Sequence, residues 1–243
     1  MLRSHVRGVL TVTGIVVGLG ALALLRPIDA TVRAEQGESL NCPVTHAGLL
    51  DALKQADGLD SSGLDNHYWA VVVNREGTVC AVAYSGDERD GQWLLSRQIA
   101  AAKAFTANGL SLDGAPISTA QLYPWVQPGA PGNPLFGLAG GNPVDPGAAY
   151  QGPYQLYGTR NDPMVGRRVG GTISFGGGLG LYNGTNAIGG LGLSGDTACA
   201  DHSTAWRLRA GLSLAPGAGN DRITLGPTEH PGCPNDGATE GKN

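Results

Sequence analysis

Apolar runs and turn residues divide the chain into short elements. Tyr68-Trp69-Ala70-Val71-Val72-Val73 is a strand-like run, Asn74-Arg75-Glu76-Gly77 a turn, and Thr78 to Tyr84 a returning strand. This pattern predicts a β-hairpin. Upstream, Thr45 to Ala56 reads as a helix, with Thr45 able to cap it and Leu49, Leu50 and Leu53 forming a stripe at helical spacing. Trp93 to Leu110 reads as a longer helix. Its face of Leu95, Ile99, Ala102 and Thr106 is flanked by Ala100, Ala101, Ala104 and Ala107, small enough to let a sheet approach closely. Ser118 to Trp125 reads as a short helix before Pro128. Val169 to Leu181 resumes strand character, interrupted by Gly176-Gly177-Gly178, which marks a bulge or a close backbone approach. Asn183-Gly184-Thr185-Asn186 is a hairpin turn and Ala187 to Leu193 its partner strand. Asp196 is placed to cap a helix from Thr197 to Gly211. Residues 212–243 are loop-rich.

Composition narrows the architecture. Forty glycines and 15 prolines in 243 residues make about 23%, against a usual share of roughly 12%. A helical bundle or coiled coil is excluded, and many turns are expected. With 41% apolar residues a core can form. Residues 128–166 concentrate proline and glycine and carry Tyr150, Tyr154 and Tyr157. A loop this long is expected to pack on the domain or on a second subunit. The net charge of −4 and the lack of a Lys/Arg cluster argue against nucleic acid as a partner.

The first residues change the compartment. Arg3 and Arg7 precede an uncharged run from Val9 to Leu25 that Arg26 ends, and small residues follow at Ala30 and Ala34. Residues 1–34 therefore read as a signal peptide or N-terminal anchor, and the rest as periplasmic or secreted, with no other contact with a membrane. In an oxidising compartment the four cysteines, Cys42, Cys80, Cys199 and Cys233, are expected to form two disulfides. Three pairings are possible; the favoured one is Cys80–Cys199 with Cys42–Cys233, which ties the two ends of the exported chain together. The absence of C-x-x-C excludes a zinc ribbon, and that of C-x-x-C-H excludes covalent haem.

Few motifs survive weighing. Gly190-Leu191-Gly192-Leu193-Ser194-Gly195 matches G-x-G-x-x-G after a strand and before a helix. Too little chain remains for a doubly wound dinucleotide domain, so these glycines are read as room for strand–helix packing. The richest cluster is Cys199-Ala200-Asp201-His202, at the start of the last helix. Ala198, Cys199, Ala205 and Trp206 surround His202 on its face, so it is either a satisfied core histidine or a metal, haem or proton-transfer residue. Asp201 is either a structural acceptor or part of that site. Lys103 is either a solvated lysine or one facing a site.

Taken in order, these segments resemble the haem-binding GlcG/HbpS-like family. The resemblance rests on the first hairpin, the helix Ser96 to Ala107, Gln127-Pro128-Gly129 with Pro134 to Leu138, Phe175 to Leu179, and Ile188 to Asp196 followed by Asp201. It implies one α+β domain over residues 35–226, including the arm at 128–166, with a tail at 227–243. An antiparallel sheet of about five strands would carry helices on its faces, in a PAS- or profilin-like topology. It also implies a homo-oligomer and a small-molecule ligand, haem held non-covalently. The positions carried over are Lys103, Thr106, Gly176, Gly177, Gly178 and Asp201. His202 stands where the family often has an acidic residue, and is the expected iron ligand; Tyr182, His67 and His46 follow in that order. Tyr68 and Trp206 are candidate porphyrin-lining residues. The expected function is an extracytoplasmic haem-binding protein in haem or iron handling or redox sensing. The alternatives are a small-molecule enzyme, with Lys103 and His202 as acid/base groups, and a non-catalytic accessory subunit that binds a partner through the arm.

Overall fold

A computed structural model describes residues 41–88, 90–128, 135–137, 143–235 and 240–243. The N-terminal segment 1–34 and part of the arm lie outside them. Two hairpins build one antiparallel sheet. β1 (Trp69–Asn74) and β2 (Val79–Tyr84) are joined by a turn in which the Asn74 side chain accepts the N–H groups of Glu76 and Thr78, both at 3.0 Å. β3 (Gly178–Asn183) and β4 (Asn186–Ser194) are joined at Gly184, which takes the left-handed φ of +61° that this tight turn requires. The strand order is β2-β1-β4-β3. Among the described residues the sheet has four strands where about five were expected. The segment from Val169 makes only an isolated bridge, between Gly170 and Val144, because Gly170 and Gly171 have φ of +68° and +86°, which break the pleat.

Alternation along β1 sends side chains to two cores. Tyr68, Ala70 and Val72 join Leu179, Leu181, Leu191 and Leu193 on one face. α1 (His46–Asp57) covers that face with Leu49 and Leu53, and the last helix with Ala205 and Leu208. Trp69, Val71 and Val73 face the other way, towards α2 (Ser96–Leu110) with Ala100, Ala101 and Ala104. α2 lies almost on the backbone of β4. A Cβ on Gly192 would stand 1.9 Å from the Ala100 carbonyl oxygen, and one on Gly190 2.3 Å from that of Ala104. The G-x-G-x-x-G run is thus the groove for an alanine-rich helix. Residues 118–126 form a 3-10 turn (Ala120–Leu122) and a short α3 (Tyr123–Val126).

On the α2 side, Ala149 and Met164 of the arm and Val169 just after it join the core. A short α4 (Pro146–Ala149), capped by Asp145, begins this stretch. Arg97 of α2 clamps it. Its guanidinium donates to both Asp162 oxygens at 2.6 and 2.7 Å and to the Ala149 carbonyl at 2.9 Å, all buried.

The last helix, α5 (Ala198–Gly211), is capped by Thr197, whose hydroxyl accepts the Ala200 N–H at 3.3 Å. Asp196, the expected cap, instead accepts the N–H groups of Leu64 and Asn66 and holds the loop before β1.

The disulfides pair differently from expectation. Cys42 bonds Cys80, and Cys199 bonds Cys233, closing separations of 38 and 34 residues. Cys80–Cys199 cannot form because β2 is the edge strand farthest from β3, and α5 starts at the β3 end of the sheet. Cys80 is also the extra residue of a β-bulge, since Val72 pairs with Ala81 and Val73 with Val79. The bulge turns Cys80 into the α1-side core, where Cys42 packs. Cys233, the other expected partner of Cys42, is taken by Cys199, so the chain ends are not tied together.

Candidate functional site

The carried-over residues converge where β3 begins. Lys103 leaves α2 on one face of the sheet and Asp201 leaves α5 on the other. They meet past the end of β3, where Gly177 leaves the space open. A Cβ on Gly177 would lie 2.8 Å from Lys103 Nζ and 2.5 Å from the Leu193 carbonyl oxygen. Gly177 also has a φ of +113°, which only glycine adopts without strain. Lys103 Nζ donates to Asp201 Oδ2 at 2.6 Å and to the Leu193 carbonyl at 2.9 Å. The Phe175 ring centroid stands 5.0 Å from the same nitrogen. Asp201 Oδ1 accepts the Asp196 N–H at 3.1 Å. Both side chains are buried. Burial pushes the Asp201 carboxyl up, to about 6, against the pull of Lys103. Burial likewise pushes the Lys103 ammonium down, opposed by Asp201. The pair is a bolt joining the two faces, with its donors and acceptors committed inside the protein. This does not favour Lys103 as a catalytic acid or base.

Thr106, one turn further along α2, donates to the Ala102 carbonyl at 2.7 Å and accepts the Ile173 N–H at 3.0 Å. It thereby holds the segment leading to the three glycines. Gly176 abuts α5: a Cβ there would stand 2.2 Å from the Ala198 carbonyl oxygen and 2.9 Å from His202 Cβ. Gly178 abuts Thr119, which accepts the Gly178 N–H at 2.9 Å and donates to the Phe175 carbonyl at 2.7 Å. The three glycines are thus spent on close packing against protein.

His202 projects from α5 beside Asp201, on the tail side. Its ring is fully buried. Neither nitrogen makes a hydrogen bond of full geometry among the described residues. Burial pulls its pKa down to about 3, and the positive charge of Arg209 adds to the effect, against an opposing hydrogen-bonding contact with the Gly241 backbone. The imidazole is therefore neutral at physiological pH, with a free lone pair. Trp206 lies next to it, ring centroids 6.2 Å apart. What covers the ring is the end of the chain: a Cβ on Gly241 would lie 3.1 Å from His202 Cδ2.

His230 and Thr119 complete the surroundings, and neither stood out in the sequence. His230 Nε2 accepts the Gly176 N–H at 3.2 Å, and its Nδ1 lies 2.8 Å from the Pro231 carbonyl oxygen, which fixes the proton on Nδ1. Burial lowers its pKa as well. Pairing Cys233 with Cys199 brings His230 here; with Cys233 assigned to Cys42, nothing pointed to it. The other expected ligands lie elsewhere. Tyr182 is a core residue whose hydroxyl donates to the Leu112 carbonyl at 2.9 Å. His67 pairs with Asp57 at 3.1 Å, and His46 Nε2 lies 2.8 Å from the Gly158 carbonyl oxygen. Tyr68, offered as a porphyrin wall, is buried under α1 and α5 with its hydroxyl on Asp60.

A family model described as haem degrading protein HbpS-like matches residues 61–208. No curated protein matches the chain. Similar solved structures include the following two. A PduOC:heme complex shares 24% identity at a TM-score of 0.46, covering 70% of this chain and 92% of that one. The Klebsiella pneumoniae protein ORFY, of the DUF336 family model, shares 22% at a TM-score of 0.44, covering 71% and 92%.

Proposed function

Because the chain belongs to the HbpS-like haem degrading protein family, we propose that it is an extracytoplasmic haem-binding protein in which His202 is the iron ligand. The observation that carries this reading is the His202 ring, neutral and buried, with neither nitrogen in a hydrogen bond of full geometry among the described residues. A buried polar group without a full hydrogen bond costs stability, and a ligand-binding role accounts for keeping one. An unprotonated imidazole is the donor that haem iron takes. Trp206 beside it supplies apolar wall, and the Lys103–Asp201 bolt fixes the turn of α5 that carries the ligand. Bound haem would supply the redox and ligand-binding chemistry of its iron. The protein's part is to hold the imidazole neutral and oriented, and to exclude water. Attachment is non-covalent, since no C-x-x-C-H occurs. The extracytoplasmic setting is supported by the two disulfides and by the targeting pattern of residues 1–34. We read the protein as a homo-oligomer, which sedimentation of the same preparation checks.

The test is a titration of the full chain with ferric haem, with disulfides intact and, in parallel, with both reduced and the reductant removed. The expected result is a saturable Soret band in at least one state, shifted and weakened in His202→Ala while the fold persists. Haem uptake in neither state, or uptake in both that ignores His202→Ala, overturns the reading.

A further inference from the structure

Of the ten large apolar side chains that stand exposed among the described residues, six gather at one end of the molecule, where β1 begins and β4 finishes. Trp93, Leu94 and Leu95 are 53%, 70% and 59% exposed, in the turn that leads into α2. The Trp93 N–H donates to the Gly195 carbonyl at 3.5 Å, which sets this turn just past the end of β4. On the α5 side of the turn stands exposed Leu64, whose N–H is held by Asp196. On its other side stands the arm. The Tyr150 hydroxyl donates to the Leu94 carbonyl at 3.1 Å, and the Tyr150 carbonyl accepts the Tyr157 hydroxyl. Tyr154, one 3-10 turn before Tyr157, is exposed as well.

Folding of the single chain does not account for this face. No side chain caps α2, whose N-cap residue is Leu95. Serine, threonine, asparagine and aspartate are preferred at that position, and leucine is among the poorest choices. The two segments that build most of the face also carry no charge: residues 91–96 and 146–159 contain no Asp, Glu, Lys or Arg. The six residues expose on the order of 700 Å², close to the roughly 800 Å² that each partner contributes to a stable interface. A lone soluble protein rarely leaves so large an apolar patch in water. Charge selects the occupant. Copies of a chain with net charge −4 repel one another, and they meet most readily where charge is absent. Exposed Asp87, Glu88 and Asp90 border the turn as a polar rim borders an apolar interface, and they oppose an anionic bilayer. Residues 1–34 also join the domain at the opposite end. Cys42 is bonded to Cys80, beside Val79, which pairs with Val73 near the far end of β1. A membrane holding that segment would face the other end of the sheet.

Resting on the homo-oligomer reading above, and independent of haem, we propose that this face is a two-fold interface between two copies of the chain, centred on the Trp93–Leu95 turn. A two-fold axis through the turn exchanges its two sides. Leu64 of each copy then meets Tyr150 and Tyr154 of the other, while Leu94 packs near the axis. The arm thus has two duties. Its inner side chains, Ala149 and Met164, complete the α2-side core, and its outer tyrosines complete the surface that a second copy covers.

The test is sedimentation velocity of the full-length protein over a wide range of concentration, with wild type beside Leu94→Asp and Leu112→Asp. Leu112 is the control. It is 63% exposed, against 70% for Leu94, but stands at the opposite end of the sheet, where its carbonyl accepts the Tyr182 hydroxyl. Neither leucine lies in the core, so circular dichroism of both variants should match wild type. Leu94→Asp is expected to weaken association about a hundredfold, because a two-fold interface carries the substitution twice. Leu112→Asp should leave association unchanged. A wild-type dimer, or a larger assembly that Leu94→Asp halves, supports the face. Wild type that stays monomeric throughout overturns both the interface and the homo-oligomer reading. An assembly that survives Leu94→Asp, or that Leu112→Asp breaks, keeps the homo-oligomer and overturns this face. Assembly through residues 1–34 falls under that outcome, since every variant has the same N-terminal segment. Monomeric wild type that binds phosphatidylcholine vesicles, with binding lost in Leu94→Asp, gives the face to a lipid surface and overturns the second copy.

Discussion

Asp201 and His202 are consecutive on α5, and both are buried, yet they face opposite surroundings. On the Asp201 side the carboxylate meets Lys103, the Asp196 amide and, through Lys103, the Leu193 carbonyl. That side is sealed by glycines whose missing side chains let three elements touch. On the His202 side the ring has no hydrogen-bond partner of full geometry among the described residues, and its cover is a C-terminal strap in which Gly241, held by the Ile223 N–H, lies beside the ring. Burial alone therefore does not separate a structural residue from a functional one. The number of commitments each polar atom has does. Asp201 is spent on the fold, while in the haem reading proposed above His202 is held in reserve.

The sharpest way to break this contrast is to remove the bolt. Lys103→Met leaves the Asp201 carboxylate buried without its cation, which is expected to cost about 3–5 kcal/mol. Lys103→Met/Asp201→Leu, with both charges gone, should recover most of that loss. Urea unfolding of the two variants measures both. Equal losses in the single and double variants would show that packing of the lysine stem, not charge pairing, joins the two faces.

A smaller effect separates the neighbours by sign. The His202 pKa falls from an ordinary 6.5 to about 3 on folding, so its contribution is complete above 6.5 and is lost as pH falls towards 3. Asp201 is raised by burial to about 6 from an ordinary 3.8, so the folded state gains on the unfolded one as pH falls from 6 to 4. Between pH 6 and 4 the two oppose each other, each worth about 1.4 kcal/mol per pH unit at most. His202→Leu should therefore flatten or reverse the acid loss of stability in that window, and Asp201→Asn should steepen it. His230, also lowered by burial, acts in the same direction as His202 and is present in every variant. Chemical unfolding at pH 6, 5 and 4 gives the slopes. Parallel slopes in wild type and both variants would remove the contrast.

The sealed side was far more legible in the sequence than the strap side. Both hairpins announce themselves by apolar runs around Asn-Gly-type turns, and the alanines of α2 anticipate a close approach that Gly190 and Gly192 then supply. Lys103 and Asp201 were named, but the sequence does not show that they meet, 98 residues apart, through the gap at Gly177. The strap side was legible only as Cys199-Ala200-Asp201-His202. The pairing of its cysteine depends on a bulge at Cys80 and on strand order, which are settled by tertiary packing. With that pairing unread, His230 and Gly241 had no reason to be placed at His202. The missing fifth strand has a local cause, the left-handed glycines at 170 and 171, which a propensity argument treats as weak strand residues rather than as breaks.

The smallest expected effect tests the turn that both sides share. Thr197 caps α5 through the Ala200 N–H, and its carbonyl accepts the Asp201 N–H at 2.8 Å, so one cap supports Cys199, Asp201 and His202 together. Thr197→Ala is expected to cost about 1 kcal/mol, and Thr197→Ser to restore most of it. Comparing oxidised with reduced protein then apportions the support. With Cys199–Cys233 intact, Cys233 also holds the first turn, so the cap should matter less; once that bond is reduced, the turn depends on Thr197 and on the Asp201 bolt. A larger Thr197→Ala cost in reduced protein means that the strap shares in ordering α5. An identical cost in both states means that the cap and the bolt suffice, and that the strap covers His202 without helping to build the helix that presents it.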